Sequence, residues 1–166
     1  MAILDRRENL EDLTELAVLI RRHAEFGAEI ELPTYYAALA KGYGEIGEPE
    51  KALTLVNDAL NIIKETSECS MKAEFHRLKG QLLLLQTRAN LDEAERWFRS
   101  GIDIAQSQQA KSWELRATTS LARLLCDSNR RDEARTLLSD IYSWFTEGFE
   151  LPDLKDAKAL LDELSA

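Results

Sequence analysis

GEPEKALTLVNDALNII (47–63), LDEAERWFRSGIDI (91–104) and RDEARTLLSDIY (131–142) are three versions of one pattern. Aligned, they place alanine at 52, 94 and 134 and a larger apolar residue at Val56, Phe98 and Leu138, with Ala59, Gly101 and Ile141 three residues further on. The steps are 42 and then 40 residues. The segments before them keep register too. Ala40, Gly80 and Ala122 are followed three residues later by Tyr43, Leu83 and Leu125, at steps of 40 and 42. Five columns at such steady intervals mark an internal repeat. A small residue at a helix crossing lets two backbones approach closely, and the larger residue one turn on fills the space beside it. Each helix pair buries only part of its apolar face alone, so neighbours must stack to complete a core.

Outward from these stretches the pattern is helical. Apolar residues recur every three or four positions with no sustained alternation at period two. Pro33, Pro49 and Pro152 stand where helices begin, a place that tolerates a missing N–H. Gly27, Gly47 and Gly148 stand where helices end. Helices are expected at 6–26, 32–46, 49–67, 70–88, 91–108, 111–127, 131–147 and 152–164. The whole of 1–166 reads as one all-α domain: a partial first repeat (1–30), helix pairs at 32–68, 70–108 and 111–147, and a capping helix at 152–164. The run Leu82–Leu85 covers more than one face, as expected of a helix sandwiched between two repeats. The expected architecture is a right-handed superhelix of stacked antiparallel helix pairs.

Composition narrows the function classes. The 166 residues are 45% hydrophobic and 31% charged, too apolar and too poor in Gly and Pro for a disordered chain. No apolar window is long enough for a bilayer span, and MAILDRRENLED lacks a signal-peptide core, so a cytoplasmic protein is expected. Twenty-one Lys and Arg against 30 Asp and Glu give a net charge of −9. That balance repels phosphate backbones, so neither nucleic acid nor membrane is an expected partner. Cys69 and Cys126 are too far apart for a CxxC site and read as small apolar fillers.

The order small, large, Ala, bulky, small resembles the tetratricopeptide repeat, with GEPEKA (47–52) its most typical stretch. The period departs from the usual 34 residues, the tryptophan of the first helices is missing, and Ile141 stands at a normally small position. Longer repeats of this kind are similar to those following the ATPase module of bacterial signal-transducing regulators. AEFHRLKGQLLL (73–84), AERWFRSGIDIAQSQQAKSWELRATTSLARL (94–124) and WFTEGFELPDLKDAKALLDEL (144–164) resemble the C-terminal helical-repeat region of large bacterial proteins. Those proteins join a nucleotide-cyclase or DNA-binding domain to an AAA-type ATPase. The resemblance implies a regulatory interaction module, not catalysis by this segment.

Residue chemistry points the same way. Gly-Tyr-Gly at 42–44 makes neither GxGxxG nor a phosphate loop, so no nucleotide cofactor is expected. His23 and His76 lack metal-spaced neighbours, so no metal is expected either. Without a nucleophile–base pair the chain reads as no enzyme. Trp97, Trp113 and Trp144 read as packing residues. One stripe of the first helices carries Lys41, Arg77, Gln81, Arg116, Thr119 and Arg123, expected to be exposed on the concave surface. Four cations there on an acidic body would favour an acidic protein or peptide partner. The first helix offers apolar Leu13, Leu16, Ala17, Leu19 and Ile20, so the chain either continues upstream or self-associates through this end. The alternative function is a small-molecule sensor with its ligand inside the superhelix.

Overall fold

The structure, a computed structural model, describes residues 12–20, 22, 32–66, 70–87 and 90–165. These form helices α1 (12–20), α2 (Leu32–Glu45), α3 (Pro49–Thr66), α4 (Lys72–Gln86), α5 (Leu91–Ser107), α6 (Lys111–Asp127), α7 (Arg131–Tyr142) and α8 (Pro152–Ser165), with no strand among the described residues. Gly27, His23 and Cys69 lie outside the described residues.

Every residue of the five repeat columns is buried, from Ala40, Gly80 and Ala122 to Ala59, Gly101 and Ile141. The columns bring α2 against α3, α4 against α5 and α6 against α7 as helical hairpins. The first helices also touch one another in series, α2 on α4, α4 on α6 and α6 on α8. The second helices α5 and α7 are joined through long charged side chains instead. The first helices therefore form the tighter inner row of the stack.

Helix α4 is the shared wall of two core clusters. Phe75, Leu78 and Leu82 close the core with α2 and α3, and Leu83 closes the core with α5 to α8. That two-sided burial accounts for most of the leucine run. Leu85 is the exception, 59% exposed on the inner side.

Local signals set the helix ends. At the end of α2 Glu48 N–H donates to Tyr43 O (2.8 Å) and Gly47 N–H to Gly44 O (3.1 Å), with Gly47 at φ 75°. This paired closure places one residue in the left-handed region, which glycine enters without cost. The same bonds end α5 and α6 through Gln109 (φ 54°) and Asn129 (φ 60°). Helix α7 stops at Tyr142, short of the expected 147. Its last turn tightens to three-residue steps, Trp144 N–H to Ile141 O and Phe145 N–H to Tyr142 O, both 3.2 Å. Ser143 Oγ donates to Asp140 O (2.9 Å), so a side chain caps a carbonyl the helix leaves open. Trp144, expected to pack, is 58% exposed in the turn that follows.

Charge also joins the repeats on the outer side. Arg99 Nη2 donates to Glu95 (2.7 Å) and Glu133 (2.8 Å), and Arg130 donates to the same two carboxylates (2.8 and 2.9 Å). Burial pushes the Glu95 carboxyl up, but the hydrogen bonds from Arg99 and Arg130 outweigh it and leave it below its ordinary value. The Arg99 bond lowers Glu133 likewise. Nearby, His76 lies edge-on to Trp97 (4.9 Å between centroids), its Nδ1 without a hydrogen-bond partner among the described residues. Burial first, then the charges of Lys72 and Lys79, lower His76 from 6.5 to about 4.

This packing and this charge can each be probed. A Cβ at Gly80 would lie 2.5 Å from Phe98 Cε1, so Gly80→Ala collides with an aromatic ring that cannot bend aside. Alanine's helix propensity gains about 1 kcal/mol, while overpacking costs about 1–3 kcal/mol. Urea unfolding should show a net loss, partly recovered by adding Phe98→Leu. For pH, His76, Glu95 and Glu133 all have lowered values in the fold, so their stabilisation is whole above the unfolded values and lost on acidification. Melting temperature should begin to fall below pH 6.5 through His76 and steepen below about pH 4.5 through Glu95 and Glu133. His76→Leu should flatten the upper limb alone.

Candidate functional site

Lys41 of α2, Arg77 and Gln81 of α4, and Arg116, Thr119 and Arg123 of α6 all line one open groove of about 210 Å³ on the inner row. Three successive first helices thus bring together all six residues of the sequence stripe. Helical periodicity explains the alignment: within α4 and α6 these residues recur at three- and four-residue steps, on one face.

Their surroundings differ from the expected bare cationic face. Arg77 is only 7% exposed, and Thr119 is buried with its hydroxyl donating to Leu115 O (2.8 Å). Arg77 makes a two-pronged bond to Glu74, Nε to Oε2 and Nη2 to Oε1, both 2.7 Å. Glu74 Oε1 also forms an ion pair with Arg116 Nη2 at 3.0 Å, and Arg116 Nε lies 3.7 Å from Asp153. Arg123 Nη2 donates to Asp156 Oδ1 at 2.5 Å. Among the described residues Lys41, 67% exposed, has a loose contact with Glu45 at 3.9 Å. The guanidinium of Arg116 stacks 5.0 Å from the Trp113 ring, which fixes its direction.

The sequence reading missed Ser120, Asp153 and Asp156 in the lining. Ser120 Oγ donates to Arg116 O (3.0 Å) and meets Gln81 Nε2 at 3.5 Å, linking α4 to α6. Asp153 and Asp156 stand three apart on the polar side of α8, a spacing visible in the sequence. The helix crossing that turns them toward Arg116 and Arg123 is not visible there. Glu74 precedes Arg77 by three residues, a helical pairing distance that does signal their bond.

Beside this groove lies an apolar cleft of about 620 Å³ between α2 and α4, lined chiefly by Gly44, Leu78, Leu82, Leu84 and Leu85. Lys41 and Gln81 line both, so charged and apolar surfaces are continuous. Elsewhere, the described residues include no group of three His, Cys, Asp or Glu placed to hold a metal. The Cys126 thiol is half-buried, and burial pushes its pKa up, away from thiolate character. The three tryptophans do not gather: Trp97 meets His76, Trp113 meets Arg116 and Trp144 meets Phe145.

Burial separates two kinds of ion pair here. Glu74 and Arg77 have side chains 6% and 9% exposed, so Glu74→Ala leaves a buried guanidinium short of its partner. The expected cost is about 3–5 kcal/mol. Lys41→Ala, on an exposed side chain, should cost less than about 0.5 kcal/mol. Urea denaturation of the two variants checks the contrast.

No family model matches the chain. It is 33% identical over 102 residues to an uncharacterized protein of Rhizobium meliloti (strain 1021), a match covering 60% of this chain. The matched region spans a tenth of that protein's length. Two crystal structures of a Podosopora anserina protein assigned as a kinesin light chain, with nearly identical TPR-like repeats, are similar in fold. One, a point variant, superposes with a TM-score of 0.70 at 17% identity, covering 96% of this chain and 78% of that one. The second gives 0.67 at 18% identity, covering 96% and 79%. No helix among the described residues is long and apolar enough to cross a membrane. The fold is a TPR-like helical solenoid.

Proposed function

We propose that the chain is a non-catalytic protein–protein interaction module of a bacterial signalling protein. Its inner groove takes an acidic segment of a partner polypeptide, or of an upstream ATPase region of its own protein, in a cytoplasmic setting. The observation that carries this reading is the convergence of Lys41, Arg77, Gln81, Arg116, Thr119 and Arg123 from three repeats on one groove. Arg77 is locked to Glu74 and shapes the floor. Lys41, Arg116 and Arg123, partly exposed, are the cations a carboxylate can reach. The neighbouring cleft, where Leu85 is exposed, supplies apolar area for affinity. The signalling context rests on the resemblance carried by 73–84, 94–124 and 144–164, and the bacterial setting on the Rhizobium meliloti relative.

A sensor for small molecules fits this groove less well. Such pockets run from about 300 to 1,000 Å³ and are mostly apolar and concave. The charged groove is smaller, open and rimmed by ion pairs. The adjoining apolar cleft of about 620 Å³ falls in that range, so a small ligand would sit there and not in the charged groove.

The test is fluorescence anisotropy with a fluorescein-labelled peptide of alternating Glu and Leu. Lys41→Glu with Arg123→Glu should weaken binding about tenfold or more, with helical circular dichroism unchanged. Added salt should weaken the unaltered protein's binding as well. Arg77 is unsuitable for reversal, because a new carboxylate there would be buried against Glu74. Unchanged affinity in the double variant would refute the groove assignment.

A further inference from the structure

We infer that the first turns of α8 act as a built-in competitor for the groove, and that its partner is an acidic segment with two carboxylates about one helical turn apart. The inference rests on the groove reading above and names both its regulation and the form of its ligand. Asp153 and Asp156 already sit where such a partner's carboxylates would go. Asp156 bonds Arg123, and Asp153 stands 3.7 Å from Arg116. The two aspartates are three residues apart on α8, while the arginines are seven apart on α6. The long arginine side chains converge on the closer-spaced carboxylates, so an acidic pair at i and i+3 on a crossing helix meets both cations.

The two sides of α8 are held differently. Leu154, Ala157, Leu160 and Leu164 are buried in the core cluster that includes α6 and α7, so the helix itself is anchored. The Asp153 and Asp156 side chains are each half exposed, as is Arg123 at 49%. Exchange then needs only side-chain rotation, with the helix staying docked. The Glu74–Arg77 pair, buried on both sides, does not exchange. Lys41 and Gln81 face the same groove from α2 and α4, beyond the carboxylates of α8. A partner that reaches them gains contacts that α8 does not make, which is how it outcompetes the tethered aspartates.

Masking has a measurable consequence: neutralising the competitor strengthens binding. The probe is a fluorescein-labelled helical peptide with Asp at i and i+3 and leucines on its opposite face. The full chain, Asp153→Asn with Asp156→Asn, and Lys41→Glu with Arg123→Glu are titrated at low and moderate salt. The aspartate variant should bind about fivefold tighter, the release expected for two half-exposed pairs, and with a steeper salt dependence. Asp156→Asn alone frees Arg123 while leaving Asp153 in the first turn of α8, so it keeps the test valid if the double variant melts early. Equal or weaker binding by folded aspartate variants, with the Lys41 and Arg123 variant still impaired, overturns the competitor and leaves the groove reading standing. Undiminished binding by the Lys41 and Arg123 variant overturns both.

Discussion

The stack depends on the packing of each hairpin's two helices, where a bulky side chain of the second helix shares a buried cluster with a small residue of the first. It is tightest where the Phe98 ring covers Gly80, leaving no room for even one methyl group. Interiors packed at crystal-like density tolerate little change in volume at such a point. The equivalent positions are Val56 and Leu138 in the neighbouring repeats, all fully buried, facing first helices that carry Ala40 and Ala122. These crossings set how near each hairpin's helices come, and thereby how the first helices line up. Because α4 contributes to the cores on both sides of it, a change at Gly80 is felt by both repeats. The groove's geometry is inherited from this register, since its six residues come from three separate helices.

Charge follows a different logic from packing. The protein carries a net charge of −9, yet the groove gathers four cations. They are tolerated because carboxylates meet them: Glu74 between Arg77 and Arg116, and Asp153 and Asp156 from the last helix. The buried pair acts as a structural rivet, costly to break from either side. The exposed pairs contribute little to stability and exchange partners readily. A single surface thus combines a fixed floor with a replaceable rim. On the outer side, the Glu95–Arg99–Glu133–Arg130 network does the stapling that direct contact does on the inner side. Long side chains can bridge the wider spacing of the second helices, where short apolar ones cannot.

Much of the fold was legible because helical repeats are local. The small residues at 40, 80 and 122, the alanines at 52, 94 and 134, and their larger neighbours follow from spacing alone. Helix ends marked by Gly47 or a proline could be located to within a residue or two. The end of α7 was less legible, because apolar Trp144 and Phe145 continue the periodic pattern that Ser143 interrupts. The left-handed Gln109 was illegible, since nothing in the residue type signals φ 54°. In the site, shared face and spacing put Lys41, Arg77, Gln81, Arg116, Thr119 and Arg123 on one groove. The same spacing misjudged exposure at Arg77 and Thr119, whose burial comes from neighbouring helices.

Chain order alone was enough for an all-α repeat, for the two helices of each unit and for the stripe that shares one inner face. These rest on periodicities of three to four and of about forty residues, both written along the chain. Which cations are sealed and which stay within reach of a partner emerged only when the helices were packed together. So did the part of Asp153 and Asp156 in completing the groove. Burial and ion pairing depend on side chains that meet across helices dozens of residues apart, and on crossing angles that no local spacing encodes.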